Sequence, residues 1–376
     1  MNTMLRTLAA VTMFAASQAS AATGDWPQFG FTADGRRNNT QETILGRKTV
    51  AQLTPKWTAN IPVGTSSAAV ANGIVYVGST DNNLYAFDAK SGAPVWQAAT
   101  GAPILSSPAV ENGIVYVGSN DGQVYAFDAE TGALRWSTQI GTGNYSRVES
   151  PVAVAGGLVY AGTTNGNMFA LSAKTGAVKW TKTFVFGHET LAPAAAHGIV
   201  YFTNDDAGGE LDALDARTGT SLWVQRPGGG FSGALAVGDG MIYGVSDGGP
   251  CAFDATTGVN LWWDRLETSV TGSIAIDAHH LYATSETAFL TDVSTANGAV
   301  KYNTVTHQQV RAAPALANGV LYAGSVSGNY AVSAYNTANS KLLWSAATDK
   351  IEAAPTVSNG MLYVGSASKF TAYGLP

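Results

Sequence analysis

The chain has 376 residues, of which 45% are hydrophobic and only 12% charged, and its net charge is −6. That balance fills a large core and excludes a disordered chain. It also excludes nucleic acid as a partner, because no run of Lys and Arg is present to neutralise phosphates.

Met1 to Ala22 carries Arg6, an apolar segment from Leu8 to Ala16 and the small-residue pattern Ala19-Ser20-Ala21. This predicts a secretory signal peptide over 1–22, its apolar core being well short of the roughly 20 residues that span a bilayer. No later stretch is long and apolar enough to span either. Cys251 is the one cysteine, so no internal disulfide forms and no cysteine near the cleavage site can take a lipid. The mature protein is expected in a periplasm or outside the cell, neither membrane-spanning nor lipid-anchored.

Residues 23–56, containing DWPQFG, Arg37, Asn38 and a short helical turn around Thr49 to Leu53, read as a lead-in. From 57 to 376 one plan recurs. Its clearest copy is Ser106 to Trp136: an apolar pair after Pro108, a turn at Asn112-Gly113, an alternating run Ile114 to Val117, a loop at Asn120-Asp121-Gly122, a second run Val124 to Phe127, and a last strand with Trp136. A second-strand Tyr returns at Tyr76, Tyr116, Tyr160, Tyr201, Tyr243, Tyr282, Tyr322 and Tyr363, at intervals of 39 to 44 residues. Four strands in about 40 residues fit a propeller blade, not a helical repeat. In seven copies a Gly stands three residues before the Tyr, whereas the sixth has His279, so that turn must be built differently.

The fourth-strand aromatic recurs as Trp96, Trp136, Trp180, Trp223, Trp262, Tyr302 and Trp344, each read as a wedge between neighbouring blades. The last repeat stops at Pro376 before a fourth strand, and Trp57 supplies the missing one. The fold class is therefore all-β: an eight-bladed propeller closed by pairing an N-terminal strand with the C-terminal blade, which leaves no open edge between first and last blades. Trp263, beside Trp262, reads equally as an exposed contact or as packing under a loop.

The spacing A-x-D-x-x-T-G-x-x-x-W from Ala126 to Trp136, matched from Ala86 to Trp96, Ala213 to Trp223 and Ala252 to Trp262, resembles the tryptophan-docking repeat of the pyrroloquinoline quinone (PQQ)-like propeller family. Ala170 to Trp180 fits with Ser172 at the Asp position. The DWPQFG lead-in with Arg37, Asn38 and VAQLTPKW is similar to the N-terminal clasp of quinoprotein alcohol and polyvinyl alcohol dehydrogenases. More distantly the chain resembles the outer-membrane assembly factor BamB. The enzyme resemblance implies a quinone and calcium; the scaffold resemblance implies neither. One cysteine cannot make the adjacent-cysteine disulfide on which the alcohol dehydrogenases stack their quinone. A C-x-x-C-H haem motif is also missing.

In a four-stranded blade the loop to the next blade and the loop between second and third strands emerge on one face. The interblade loops there carry Tyr145, Arg147 and Glu149; His188 and Glu189; His307, Gln308, Gln309 and Arg311; Lys350 and Glu352. In so charge-poor a chain this concentration is a candidate binding face at the channel mouth. The competing reading is a solvated rim or mutual ion pairs of small net worth. Glu149, Glu189 and Glu352 are calcium candidates by position only, and no histidine pair has metal-site spacing. Asp81, Asp121, Asp205, Asp206 and Asp247 read as turn residues, His197, His279 and His280 as turn residues on the opposite face, Gly228 to Gly230 as an interblade link, and Cys251 as buried and inert.

The functional expectation is a secreted binding scaffold whose ligand or protein partner docks on the channel face, with no cofactor expected. The alternative is a PQQ- and calcium-dependent dehydrogenase of an alcohol or polyol. In that reading Glu149 or Glu189 removes the substrate proton and Arg147 or Arg311 steadies the oxyanion. A third reading offers a strand edge or polar rim to another chain.

Overall fold

A computed structural model describes residues 24–141, 146–183, 191–203, 209–264, 272–285, 287–306, 309–327 and 331–376. Among these residues the strands form eight sheets, seven of four strands and one of five. Blade one is Ala69–Ala71, Ile74–Gly78, Asn83–Asp88 and Pro94–Ala99, all antiparallel, and the other blades repeat it. The second strand of each blade reads as a continuous apolar run because both its faces are covered by neighbouring blades, as in Ile74–Gly78, buried from Val75 onward. Fourth strands alternate exposed and half-buried, as outer edges should.

The ring closes as the sequence predicts. Thr54–Ala59 pairs antiparallel with Phe370–Gly374, and Trp57 stands opposite Ala372. First-to-second-strand turns place both central residues at positive φ, as at Asn72 (52°) and Gly73 (77°), the geometry that matches strand twist in a two-residue hairpin. The sixth turn is indeed different. Asp277 Oδ1 accepts the amides of His279 and His280, both at 2.9 Å, and so holds the bend without glycine.

Adjacent blades are joined by one repeated contact. Trp96 Nε1 donates to the Ala129 carbonyl at 2.9 Å, and the Tyr76 hydroxyl donates to the same oxygen at 3.0 Å. Trp136 with Tyr116, Trp180 with Tyr160, Trp223 with Tyr201 and Trp57 with Tyr363 share Ala173, Ala216, Ala255 and Ala89 in the same way. Tyr302 replaces the indole in blade six and reaches Thr337 O at 3.1 Å. The Gly of the repeat motif gives the ring its floor: at Gly132 (φ 71°) an added Cβ would stand 2.7 Å from Cδ2 of Trp96.

The lead-in does more than approach the first blade. It runs around the inner strands in blade order and hydrogen-bonds to the inner strand of every blade. The amides of Val70, Val110, Ala195, Val237, Ile276 and Leu316 donate to the carbonyls of Trp26, Pro27, Ala33, Asp34, Arg36 and Arg37 at 2.6–3.0 Å. Val154 N donates to Gln28 Oε1 at 3.1 Å, and Asn39 Nδ2 donates to Val357 O at 2.9 Å. Inner-strand edges facing a channel are otherwise unpaired polar groups. Asn38–Asn39 also adds a parallel fifth strand to Ala315–Ala317.

Arg37 pins this plug. It is fully buried, donates to Phe29 O, to Pro314 O at 2.7 Å and to Pro355 O at 2.8 Å, and lies over the rings of Trp26 and Phe29. Burial lowers its pKa to about 9. The residues flanking the plug lie on the first-to-second-strand turns, where Asp25 accepts Asn72 N and Glu42 accepts Gly360 N. Those turns lie on the face opposite the interblade loops.

Candidate functional site

Four interblade loops share a local rule that places the charged residues. A buried apolar side chain turns inward and its amide donates to the serine carbonyl that ends the preceding blade's second strand: Ile104 to Ser79, Val148 to Ser119, Val310 to Ser285 and Ile351 to Ser325, at 3.0–3.2 Å. Gly118 leaves room for Val148, whose Cγ1 would be 2.3 Å from an added Cβ. On an extended segment the residues on either side of an inward side chain point the other way. Arg147 and Glu149 thus flank Val148, Gln309 and Arg311 flank Val310, and Lys350 and Glu352 flank Ile351.

Two pairs lie along their own loops. Arg147 Nη1 is 3.2 Å from Glu149 Oε1, and Lys350 Nζ is 2.6 Å from Glu352 Oε1. Such exposed pairs are worth little energetically and leave their charges available to a ligand. Gln309 and Arg311 are exposed, the Gln309 carbonyl accepting Val326 N at 2.9 Å. Tyr145, His188, Glu189, His307 and Gln308 lie outside the described residues, as do Asp205 and Asp206.

Two polar clusters escaped the sequence reading. Lys182 of blade three meets Asp212 of blade four at 3.1 Å, and Arg226 holds Glu210 at 2.6 Å. Burial raises the Asp212 pKa against the opposing pull of Lys182. Its signal was an Asp at the position where blades one and two carry Tyr85 and Tyr125. In blade six Asp292 is fully buried and takes His280 Nδ1 at 2.9 Å, with Lys301 Nζ 3.3 Å from the other ring nitrogen. Burial likewise raises the Asp292 pKa. Asp292 occupies the motif's Ala position, and Tyr302, smaller than the usual Trp, leaves room for it.

The remaining candidates are structural. Asp81 and Asp121 accept the amides of Asn83 and Gln123 within their turns. Cys251 is buried, which pushes its thiol up to about 12. Trp263 is half-buried and donates to Ser246 O at 3.1 Å, which decides for packing. Gly229 and Gly230 link blades four and five, accepting Ser246 Oγ and Asp247 N.

A quinone and its cation would need convergent carboxylates and cationic groups near the axis. Among the described residues no three His, Cys, Asp or Glu side chains are grouped to hold a metal ion. Arg37 is committed to three backbone carbonyls, and the crevice beside the plug is lined by Gln28, Phe29, Thr32, Pro151, Pro193 and Leu235 among others. Of the calcium candidates, Glu149 and Glu352 are each paired to a base on their own loop, and Glu189 lies outside the described residues.

The fold is shared with an assembly factor and with enzymes. BamB from Moraxella catarrhalis is similar over 86% of this chain and 98% of its own, with 21% identity and a TM-score of 0.72. A europium-containing methanol dehydrogenase is similar over 94% of this chain and 98% of its own, at 13% identity and TM-score 0.79. The quinohemoprotein alcohol dehydrogenase from Comamonas testosteroni is similar over 95% and 82%, at 16% identity and TM-score 0.78. Among curated proteins no sequence matches significantly. Residues 43–192 and 180–373 match the family model described as outer membrane protein assembly factor BamB, so the chain belongs to this family of PQQ-like repeat propellers.

Proposed function

We propose that this protein is an exported, periplasmic or secreted binding scaffold that takes a ligand or protein partner on its interblade-loop face. The observation that carries the reading is the plug. Residues 26–39 already bond to the inner strand of every blade, which favours recognition at the interblade loops, where Arg147, Glu149, Arg311, Lys350 and Glu352 flank the buried anchors. Paired charges on these loops fit a polar or charged partner, since electrostatic complementarity mainly sets specificity and association rate.

The test is capture from native periplasmic or culture extract by wild type and by a variant with all five residues changed to alanine. Loss of the captured species in the variant, with an unchanged melting curve, supports the assignment. Equal capture removes this face from consideration. Adding PQQ and calcium to the wild type separates scaffold from dehydrogenase, because tight binding at 100 times the dissociation constant adds about 2.7 kcal/mol. A raised melting temperature with dye reduction by simple alcohols would replace the scaffold reading.

A further inference from the structure

Arg36, Arg135, Arg147, Lys182, Arg226 and Lys350 each stand within 3.2 Å of a carboxylate. Arg47, Lys48, Lys56 and Lys341 are exposed and make no such pair among the described residues. The sequence around them explains this, since neither Thr43 to Asn60 nor Asn336 to Thr348 contains an Asp or Glu. Glu42 and Asp25 reach the same sector but are buried and engaged. Glu42 accepts the amides of Ile44, Leu45 and Gly360, and Asp25 accepts from Asn72 N and Asn359 Nδ2.

The four bases gather at the turn end of blades seven and eight, opposite the interblade loops. Arg47 Nε donates to Gly319 O at 3.2 Å and Nη2 donates to Thr337 Oγ1 at 3.4 Å, one on each turn of blade seven. Lys341 closes the second of those turns, its carbonyl accepting Asn336 N at 2.9 Å. Lys56 lies on the outer strand of blade eight against Gly374, whose added Cβ would be 3.2 Å from Lys56 Cγ. Between the two blades Trp344 Nε1 donates to Leu53 O at 3.1 Å. Ile44, 50% exposed, sits over Gly360 at the same end. A chain of net charge −6 thus presents four unanswered positive charges beside an exposed aliphatic side chain.

Two kinds of anionic partner would suit such a surface, a bilayer and an acidic stretch of protein. A bilayer is a plane and would also meet the rest of this end of the ring, where Glu130 and Asp239 are exposed and Asp88, Asp128, Asp215 and Asp254 are partly exposed. Those carboxylates repel an anionic plane. An acidic segment touches the basic sector alone. We propose that the turn end of blades seven and eight docks an acidic segment of a protein partner, its carboxylates meeting Arg47, Lys48, Lys56 and Lys341 and an aliphatic side chain between them packing on Ile44. This surface is separate from the interblade-loop face, so each can fail without the other.

The full chain is titrated, by anisotropy of a neutral fluorophore on the peptide, with capped Glu-Glu-Leu-Glu-Glu and with capped Gln-Gln-Leu-Gln-Gln. At about 20 mM salt the acidic peptide should saturate and bind about tenfold tighter than the neutral one, and the preference should shrink at about 200 mM salt. Lys48→Glu combined with Lys341→Glu should weaken the acidic peptide about tenfold with an unchanged melting curve. Lys174→Glu combined with Lys179→Glu makes the same change in net charge at two exposed bases of blade three and should bind like the wild type. The proposal is overturned if the acidic peptide does not saturate at millimolar concentration, if the two peptides bind equally, or if the two double variants lose affinity equally. Cosedimentation with phosphatidylglycerol vesicles in the absence of peptide binding would overturn it in favour of a membrane.

Discussion

Raising the pH should unfold the ring cooperatively, and the buried tyrosines set where. The eight second-strand tyrosines are at most 2% exposed. Burial pushes Tyr116, Tyr201 and Tyr243 up to about 12 and raises the other five by the same cause. Above the unfolded value of about 10 the unfolded chain sheds these protons while the fold keeps them, so stability falls as pH rises. At about pH 11 each contributes a loss of about 1 kcal/mol, on the order of 10 kcal/mol for the eight. Arg37 opposes this. Burial depresses its folded pKa, so the direction of its contribution is opposite, but the three carbonyls it donates to favour the charged form and keep that contribution small. The tyrosine loss is comparable to the whole stability of a typical domain, about 5–15 kcal/mol. Tyrosinate absorbance and near-ultraviolet circular dichroism should therefore change together in one steep step between about pH 10.5 and 11.5. A gradual tyrosine titration centred near the unfolded value, with the dichroism intact, would refute the reasoning.

A pair of glycine substitutions isolates tryptophan docking. Gly113→Ala meets only backbone strain, since nothing lies within 4 Å of its added Cβ, and should cost about 1 kcal/mol. Gly132→Ala has a similar φ but drives into Trp96, and should cost about 2 kcal/mol more by urea denaturation; equal midpoints would deny the wedge its role. Arg37→Met strands the carbonyls of Phe29, Pro314 and Pro355 inside the ring. After crediting the relieved desolvation, a loss of about 3 kcal/mol is expected, and a change below about 0.5 kcal/mol would mean that the plug is not held there.

The ring was legible because its joints are made by side chains. Tyr116 and Trp136 recur since each must reach a carbonyl of the next blade, and Trp57 without a repeat of its own announced the closure. His279 in place of Gly marked the one turn with separate chemistry. The plug was opaque for the complementary reason. Most of its bonds are backbone to backbone, which carry no side-chain signature, and among the described residues Gln28, Arg36 and Asn39 reach the inner strands with side chains. The R-V-E and K-I-E triplets located the exposed charges, but not their pairing along the loop. Asp212 and Asp292 were visible as departures from the repeat only after the register of strand pairing showed which position each occupies.

Every aromatic blade-to-blade bond described above points one way around the circle, indole or phenol of one sector to the carbonyl of its successor. Such a joint is heterologous, and it is harmless only because the circle is finished. A product lacking Phe370–Gly374 would carry an unspent acceptor, Ala89 O, at one end and an uncovered donor face bearing Trp344 at the other. Those two ends fit each other and cannot meet within one molecule. Head-to-tail growth into open filaments is the failure that the final strand prevents.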